Sequence, residues 1–303
     1  MESSVDRKRL YIFLGFAFGI AWIVGLIIYL TGGLAKSPEI IPGSNITLAV
    51  ILEAFGYMWA PALAHILTRL VTRQGWHDLW LKPYFKNGWK YWLAGWFGPG
   101  VLTIVGIAVY FLFFPGQFDG NLTSLRSLLD ANSTSKGTDP WLIVIAQTLS
   151  AFIMAPVINS FFTFGEEFGW RGYLLPLLLP LGEKKAYLLS GIIWGLWHAP
   201  VIAMGHNYGL EYTGFPWLGI LAMIWFCILC GTFLGWASLR AGSVWPAVIG
   251  HAALNGIAAL GMLFVAGGKA NNLLGPIPVG VIGSIGFLIA ALLIFFNPGK
   301  KPE

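Results

Sequence analysis

Apolar positions dominate the chain in eight stretches separated by short polar segments. They are Leu10–Leu30, Ile46–Leu67, Trp92–Phe114, Trp141–Phe164, Ala186–Met204, Phe215–Leu239, Val244–Val265 and Ile277–Phe296. Each is about 20 residues long, the length a helix needs to cross a bilayer. The pattern predicts an all-α, polytopic membrane protein, a bundle of about eight transmembrane helices. The fourth stretch does not stop where it should. From Trp141 to Gly182 the only charges are Glu166, Glu167 and Arg171. One helix of that length would measure roughly 60 Å, so it must bend or break, with Pro156, Gly165, Gly169, Gly172, Pro176 and Pro180 as candidate positions. We divide the chain into an N-terminal group of three spans (1–140), a core (141–265) and a last span with a short tail (266–303).

Composition agrees with a membrane class. Of 303 residues, 57% are hydrophobic and 10% charged, with a mean hydropathy of +0.73. Soluble domains carry roughly 25% charged residues. The net charge of +5 therefore marks orientation, not a nucleic-acid partner. Arg7, Lys8, Arg9, Arg69, Arg73, Lys82, Lys86, Lys90, Lys184, Lys185, Arg240, Lys300 and Lys301 fall on one side of the predicted spans. Only Lys36, Arg126, Lys136 and Lys269 fall on the other. By the positive-inside rule both termini are cytoplasmic. The first apolar stretch is too long for a signal-peptide core and reads as an uncleaved anchor.

The loop from Gln74 to Trp92 mixes four tryptophans with three lysines, the composition of a segment lying at the headgroups. The loop from Pro115 to Pro140 is polar. The sequons at Asn45, Asn121 and Asn132 fall on the predicted outer side and are short enough to arise by chance. Cys227 and Cys230 sit within an apolar run and read as buried free thiols.

Ionised side chains inside a bilayer cost about 2.5–3.5 kcal/mol on insertion scales. Glu166-Glu167-Phe168-Gly169-Trp170-Arg171 is therefore the first place to look for chemistry. On a helix Glu167 and Arg171 are one turn apart, with the glutamate on the N-terminal side, the better order for an ion pair. Glu166 points about 100° away and is free to face something else. Two later spans carry matching polar groups. Trp194 and His198 share a face of the fifth, and His251 and Asn255 share a face of the seventh. Their sequence depths suit one cavity in the cytoplasmic half. Glu53 and His65, on the second span, read as groups for local hydrogen bonding or bundle packing, with a role along the substrate path as the alternative. His77 and His206 read as solvated.

Glu-Glu-x-x-x-Arg, then aromatic-x-x-x-His, then His-x-x-x-Asn on successive spans resembles the CAAX prenyl protease and bacteriocin-processing family of intramembrane proteases. The resemblance covers roughly residues 141–260. It departs at Trp194, where the family often has Phe. It implies that Glu166 and His198 activate the attacking water and that His251 and Asn255 stabilise the oxyanion. Glu167 and Arg171, with Trp194, would support the site. The name metalloprotease attached to family members leaves room for zinc on Glu166, His198 and His251. A metal-free site is preferred, because no His-Glu-x-x-His pair puts two ligands on one helix. The partners implied are membrane lipids and a membrane-associated protein or peptide substrate, prenylated ones included. Two other readings stay open. A transporter relay lacks the paired broken segments and inverted repeat of that class. A non-proteolytic immunity or scaffold protein would use the same cluster for binding.

Overall fold

A computed structural model describes residues 4–44, 46–131, 135–268, 270–297 and 299. The sequon asparagines Asn45 and Asn132, together with Lys269, Lys300 and Lys301, lie outside the described residues. The chain is an all-α membrane protein. Its helices are α1 (Arg7–Leu30), α2 (Leu48–Leu52), α3 (Ala60–Thr72), α4 (Phe85–Phe113), α5 (Thr123–Ala131), α6 (Pro140–Ile153) and α7 (Ala155–Ile158). They continue as α8 (Ser160–Gly169), α9 (Leu175–Leu178), α10 (Glu183–Trp197), α11 (Ala199–Ile202), α12 (Trp217–Ala241), α13 (Trp245–Ile257) and α14 (Ile285–Phe296).

Among the described residues, five helical runs are long and apolar enough to cross a membrane: Arg7–Leu30, Leu48–Thr72, Gly88–Phe113, Trp217–Ala241 and Trp245–Phe264. The other three predicted spans are interrupted. The fourth is built from α6, α7 and α8. The fifth stops at Trp197 and resumes as α11. The eighth is helical only from Ile285, after a run of turns. Broken backbone at membrane depth is tolerated where it is buried in protein or lines a cavity.

The fourth stretch breaks at Met154 and Asn159, on either side of Pro156, and leaves the α-helical path again after Gly169, at a π-helical turn that contains Gly172. Gly165 and Gly169 also serve close approach. A Cβ on Gly165 would lie 2.7 Å from the carbonyl oxygen of Met58, and one on Gly169 would lie 2.4 Å from that of Pro61. They let α8 pack backbone to backbone on α3. After α8 the chain widens into a π-helical turn, Trp170–Leu174. A second π-helical turn, Glu53–Tyr57, joins α2 to α3.

α12 lies deepest of the long helices and packs along α10, α4, α13 and α14. Gly191 and Gly195 make the α10–α12 contact possible. A Cβ there would fall 2.5 Å from the Ile228 Cα and 2.4 Å from the Ile224 Cα. Without a hydrophobic force between helices in lipid, such close packing is what holds them together. Polar bonds add to it. Thr163 donates to the Val248 carbonyl at 2.9 Å, and Asn159 to that of Ala252 at 3.3 Å, joining α8 to α13.

Two loops differ from the sequence reading. Ile46–Thr47 does not begin the second span but pairs with Glu39–Ile41 in a small antiparallel ladder. The polar loop after α4 contains α5, whose entry is capped by Asp119 accepting from the Asn121 and Thr123 amides.

Candidate active site

α10 cannot continue past His198, because Pro200 has no N–H to give and clashes with the preceding turn. The last carbonyls of the helix therefore need other partners. His198 Nδ1 bonds the Trp194 carbonyl at 2.8 Å. The Trp197 carbonyl accepts from the Tyr57 hydroxyl at 2.6 Å and from Trp22 Nε1 at 3.2 Å. A carbonyl can only accept, so His198 Nδ1 carries hydrogen and its Nε2 is left as an acceptor.

The two carboxylates part ways, as their offset predicts. Glu166 is 4% exposed, and its Oε2 accepts from Trp194 Nε1 at 2.8 Å. Glu167 is fully buried and its Oε1 accepts from Arg171 Nη1 at 2.9 Å. The Arg171 guanidinium lies over the Trp194 ring, 4.2 Å from its centroid. Gly231 leaves it room, since a Cβ there would come within 3.0 Å of Nη2. Trp194 thus does two jobs, one with each face of the cluster.

Glu167 has a second partner that its spacing did not reveal. Its Oε1 also stands 2.9 Å from His251 Nδ1. An ionised carboxylate only accepts, so Nδ1 is the protonated ring nitrogen. His251 Nε2 then donates only when the ring carries both protons. Nothing in the sequence connects residues 167 and 251, which lie on different helices.

Glu166, Trp194, His198, His251 and Asn255 all line one cavity of about 310 Å³. The described residues lining it include Glu53, Tyr57, His206 and Cys227 but no Lys or Arg. Glu53 and His206 line the cavity as a pair, His206 Nδ1 standing 3.5 Å from Glu53 Oε1, with both side chains partly exposed. An intramembrane carboxylate at position 53 was the available signal; His206 had none. Asn255 is exposed within the cavity.

His65 is not in the cavity. Its Nε2 accepts from Arg69 Nε at 2.6 Å, which leaves Nδ1 to donate to the Phe168 carbonyl at 2.9 Å. It ties α3 to the backbone beside Glu167. His77 is exposed, as read from sequence. Cys227 and Cys230 are free and buried.

Among the described residues no three His, Cys, Asp or Glu side chains converge as metal ligands. Asn207, Ala258, Pro278 and Val279 also line the cavity.

Residues 140–257 match the family described as Rce1-like, type II CAAX prenyl endopeptidase Rce1-like. The chain is also similar to CAAX prenyl protease 2 of Methanococcus maripaludis, 33% identical over 93 residues. That alignment covers 30% of this chain and 34% of the relative. The matched segment runs from the first residue of α6 to the last of α13 and holds every residue of the Glu166–Asn255 cluster. Through this segment the chain is similar to the Rce1-like family of type II CAAX prenyl endopeptidases, and it spans about a third of the length of the relative it matches.

Proposed function

We propose that the protein is an intramembrane endopeptidase that hydrolyses a peptide bond of a membrane-associated polypeptide, prenylated substrates included. The observation that carries this reading is the convergence of Glu166, His198, His251 and Asn255 from three separate helical segments on one cavity. The family match and the archaeal relative support it. In the reaction, a water in the cavity gives its proton to Glu166 as it attacks the scissile carbonyl. His198 Nε2, a bare acceptor, shares that water. Asn255 and the doubly protonated His251 donate to the oxyanion. Glu167 orients His251 by fixing its Nδ1 proton, much as the carboxylate of a catalytic triad does. Arg171 holds Glu167. The proton on Glu166 then passes to the departing amine.

The test is cleavage of the chain's own membrane substrates. Membranes holding the wild-type protein or the Glu166→Gln variant are compared by mass spectrometry of new peptide termini. Gln keeps the shape of Glu and cannot take the proton. New termini present with wild type and absent with the variant are expected, with both proteins equally stable in detergent. Cleavage by the variant above a tenth of the wild-type rate would remove Glu166 from this role. Preparations made without chelators are expected to hold no stoichiometric metal. Zinc bound one to one, and lost in His251→Ala, would replace this mechanism with a metal-assisted one.

A further inference from the structure

Two carboxylates line the cavity, Glu53 and Glu166, and the fold treats them differently. Glu166 accepts from Trp194 Nε1 at 2.8 Å. Among the described residues the Glu53 side chain makes no hydrogen bond. Its nearest partner is His206 Nδ1, 3.5 Å from Oε1, beyond the roughly 2.7–2.9 Å of a charge-assisted bond. The Glu53 side chain keeps 24% of its surface exposed. An ionisable group within an apolar span is costly, and such groups mark substrate pathways or paired charges.

The backbone gives Glu53 its place. It opens the π-helical turn Glu53–Tyr57, a wide turn of the kind often found at functional sites. The turn sets both its first and its last residue on the cavity. Tyr57 gives its hydroxyl hydrogen to the Trp197 carbonyl, so it does not answer Glu53. Met58, Val201, Met223, Phe226 and Leu254 supply an apolar lining. Such a wall suits the methylene stem of a long side chain, and its low dielectric strengthens a charge pair made against it. No described Lys or Arg lines the cavity. An incoming cation therefore meets no fixed charge of its own sign, whereas an incoming carboxylate meets two.

We infer that Glu53 is a specificity-determining residue, which receives the ammonium or guanidinium group of a Lys or Arg side chain on the polypeptide cut at Glu166. This rests on the proteolytic reading. A compact cavity of about 310 Å³ is roughly 8 Å across, the span of two or three residues of extended chain. The basic residue is thus placed within about three residues of the scissile bond.

The test begins with membranes holding wild type or Glu166→Gln. New peptide termini that depend on Glu166 are read by mass spectrometry, and the sequences flanking each cut are aligned. Lys or Arg is expected at one fixed position within about three residues of the cut. Peptides spanning one such site then carry Lys, norleucine or Glu at that position. Wild type is expected to cleave the Lys peptide about tenfold or more faster in kcat/KM than the norleucine peptide, and the Glu peptide slowest. In Glu53→Gln the ratio of Lys to norleucine should fall to about one. Cuts without a fixed basic residue, or equal wild-type rates on the Lys and norleucine peptides, overturn the inference and leave the proteolytic reading intact. A Lys preference that survives in Glu53→Gln overturns it as well, since another group then reads the cation. Should Glu53→Gln fail to fold, Glu53→Asp takes its place; the shorter carboxylate should reduce the ratio, and an unchanged ratio overturns the inference. An absence of Glu166-dependent termini removes the proteolytic reading, and the inference falls with it.

Discussion

At the scale of single residues, Glu167 sets the arrangement. Its Oε1 serves both Arg171 and His251, so removing its charge has two consequences. Arg171 is left as a buried cation without its partner, and His251 loses the group that fixes its ring. Breaking one member of a buried pair costs roughly 3–5 kcal/mol. Orienting carboxylates are worth about 10⁴-fold in kcat in the serine-protease case. Glu167→Gln is therefore expected to cut kcat at least about 100-fold while changing KM little, and to lower the melting temperature. Arg171→Ala is expected to lower it further, because Glu167 is then the unpaired charge. A Glu167→Gln protein with normal turnover would show that His251 needs no orienting group. Part of this cluster was legible in the chain. The one-turn spacing of Glu167 and Arg171 gave the ion pair, and the 100° offset gave Glu166 a different direction. The Glu167–His251 contact was not legible, because a one-dimensional pattern carries the spacing within a helix and not the register between two. The Trp194–Glu166 bond was hidden for the same reason.

At the scale of the helices, hydropathy finds where apolar chain lies but not where it stays helical. The stretches that became α1, α4 and α12 are long helices because nothing inside them competes with the backbone ladder; Pro99 within α4 is accommodated. The fifth stretch is as apolar, yet Pro200 withholds a donor and the helix stops, which is what turns the Trp194 carbonyl toward His198. Glycines carried two meanings. Gly165 looked like a breakpoint and is a contact point, whereas Gly169 is both, a close contact with Pro61 and the last residue of α8 before the π-helical turn. The same reasoning marks Gly195, one turn before His198's segment ends. A Cβ there meets the Ile224 backbone at 2.4 Å, and backbone cannot move aside as a side-chain tip can. Gly195→Val is expected to push α10 off α12, costing about 1–3 kcal/mol as an overpacked core does. Trp194 and His198 would shift with it. Thermal melting in detergent and cleavage rate should both fall. Loss of neither would mean that α10 has slack the close contact does not suggest.

At the scale of the whole molecule, the fastenings and the cavity use different residues. The basic end is held together by hydrogen bonds and an ion pair. Arg69 donates to the carbonyls of Gly75, His77 and Asp78 at 2.8, 3.0 and 3.2 Å, holding the loop after α3 against the bundle. Trp245 Nε1 and the Val244 amide donate to Leu81 and Trp80 of that loop. Arg240 grips Glu183 with both terminal nitrogens, at 3.1 and 2.7 Å, joining the end of α12 to the start of α10. The cavity holding Glu166 is lined by residues other than these, with Glu53, Met223 and Ala258 among them. Two of the cations that orient the chain are thus also its fasteners, a use that charge counting alone could not reveal. Arg69→Ala removes the fastening without touching the cavity. It leaves His65 Nε2 without its donor and frees the loop carbonyls, several of which reach water. The expected loss is about 1–3 kcal/mol, read as a lower melting temperature and faster proteolysis between residues 73 and 84. Cleavage per folded molecule should stay within about threefold of wild type, because Glu166, His198, His251 and Asn255 keep their supports. A variant that melts normally but cannot cleave would mean that the basic end takes part in substrate handling, and that the fastening there is not merely structural.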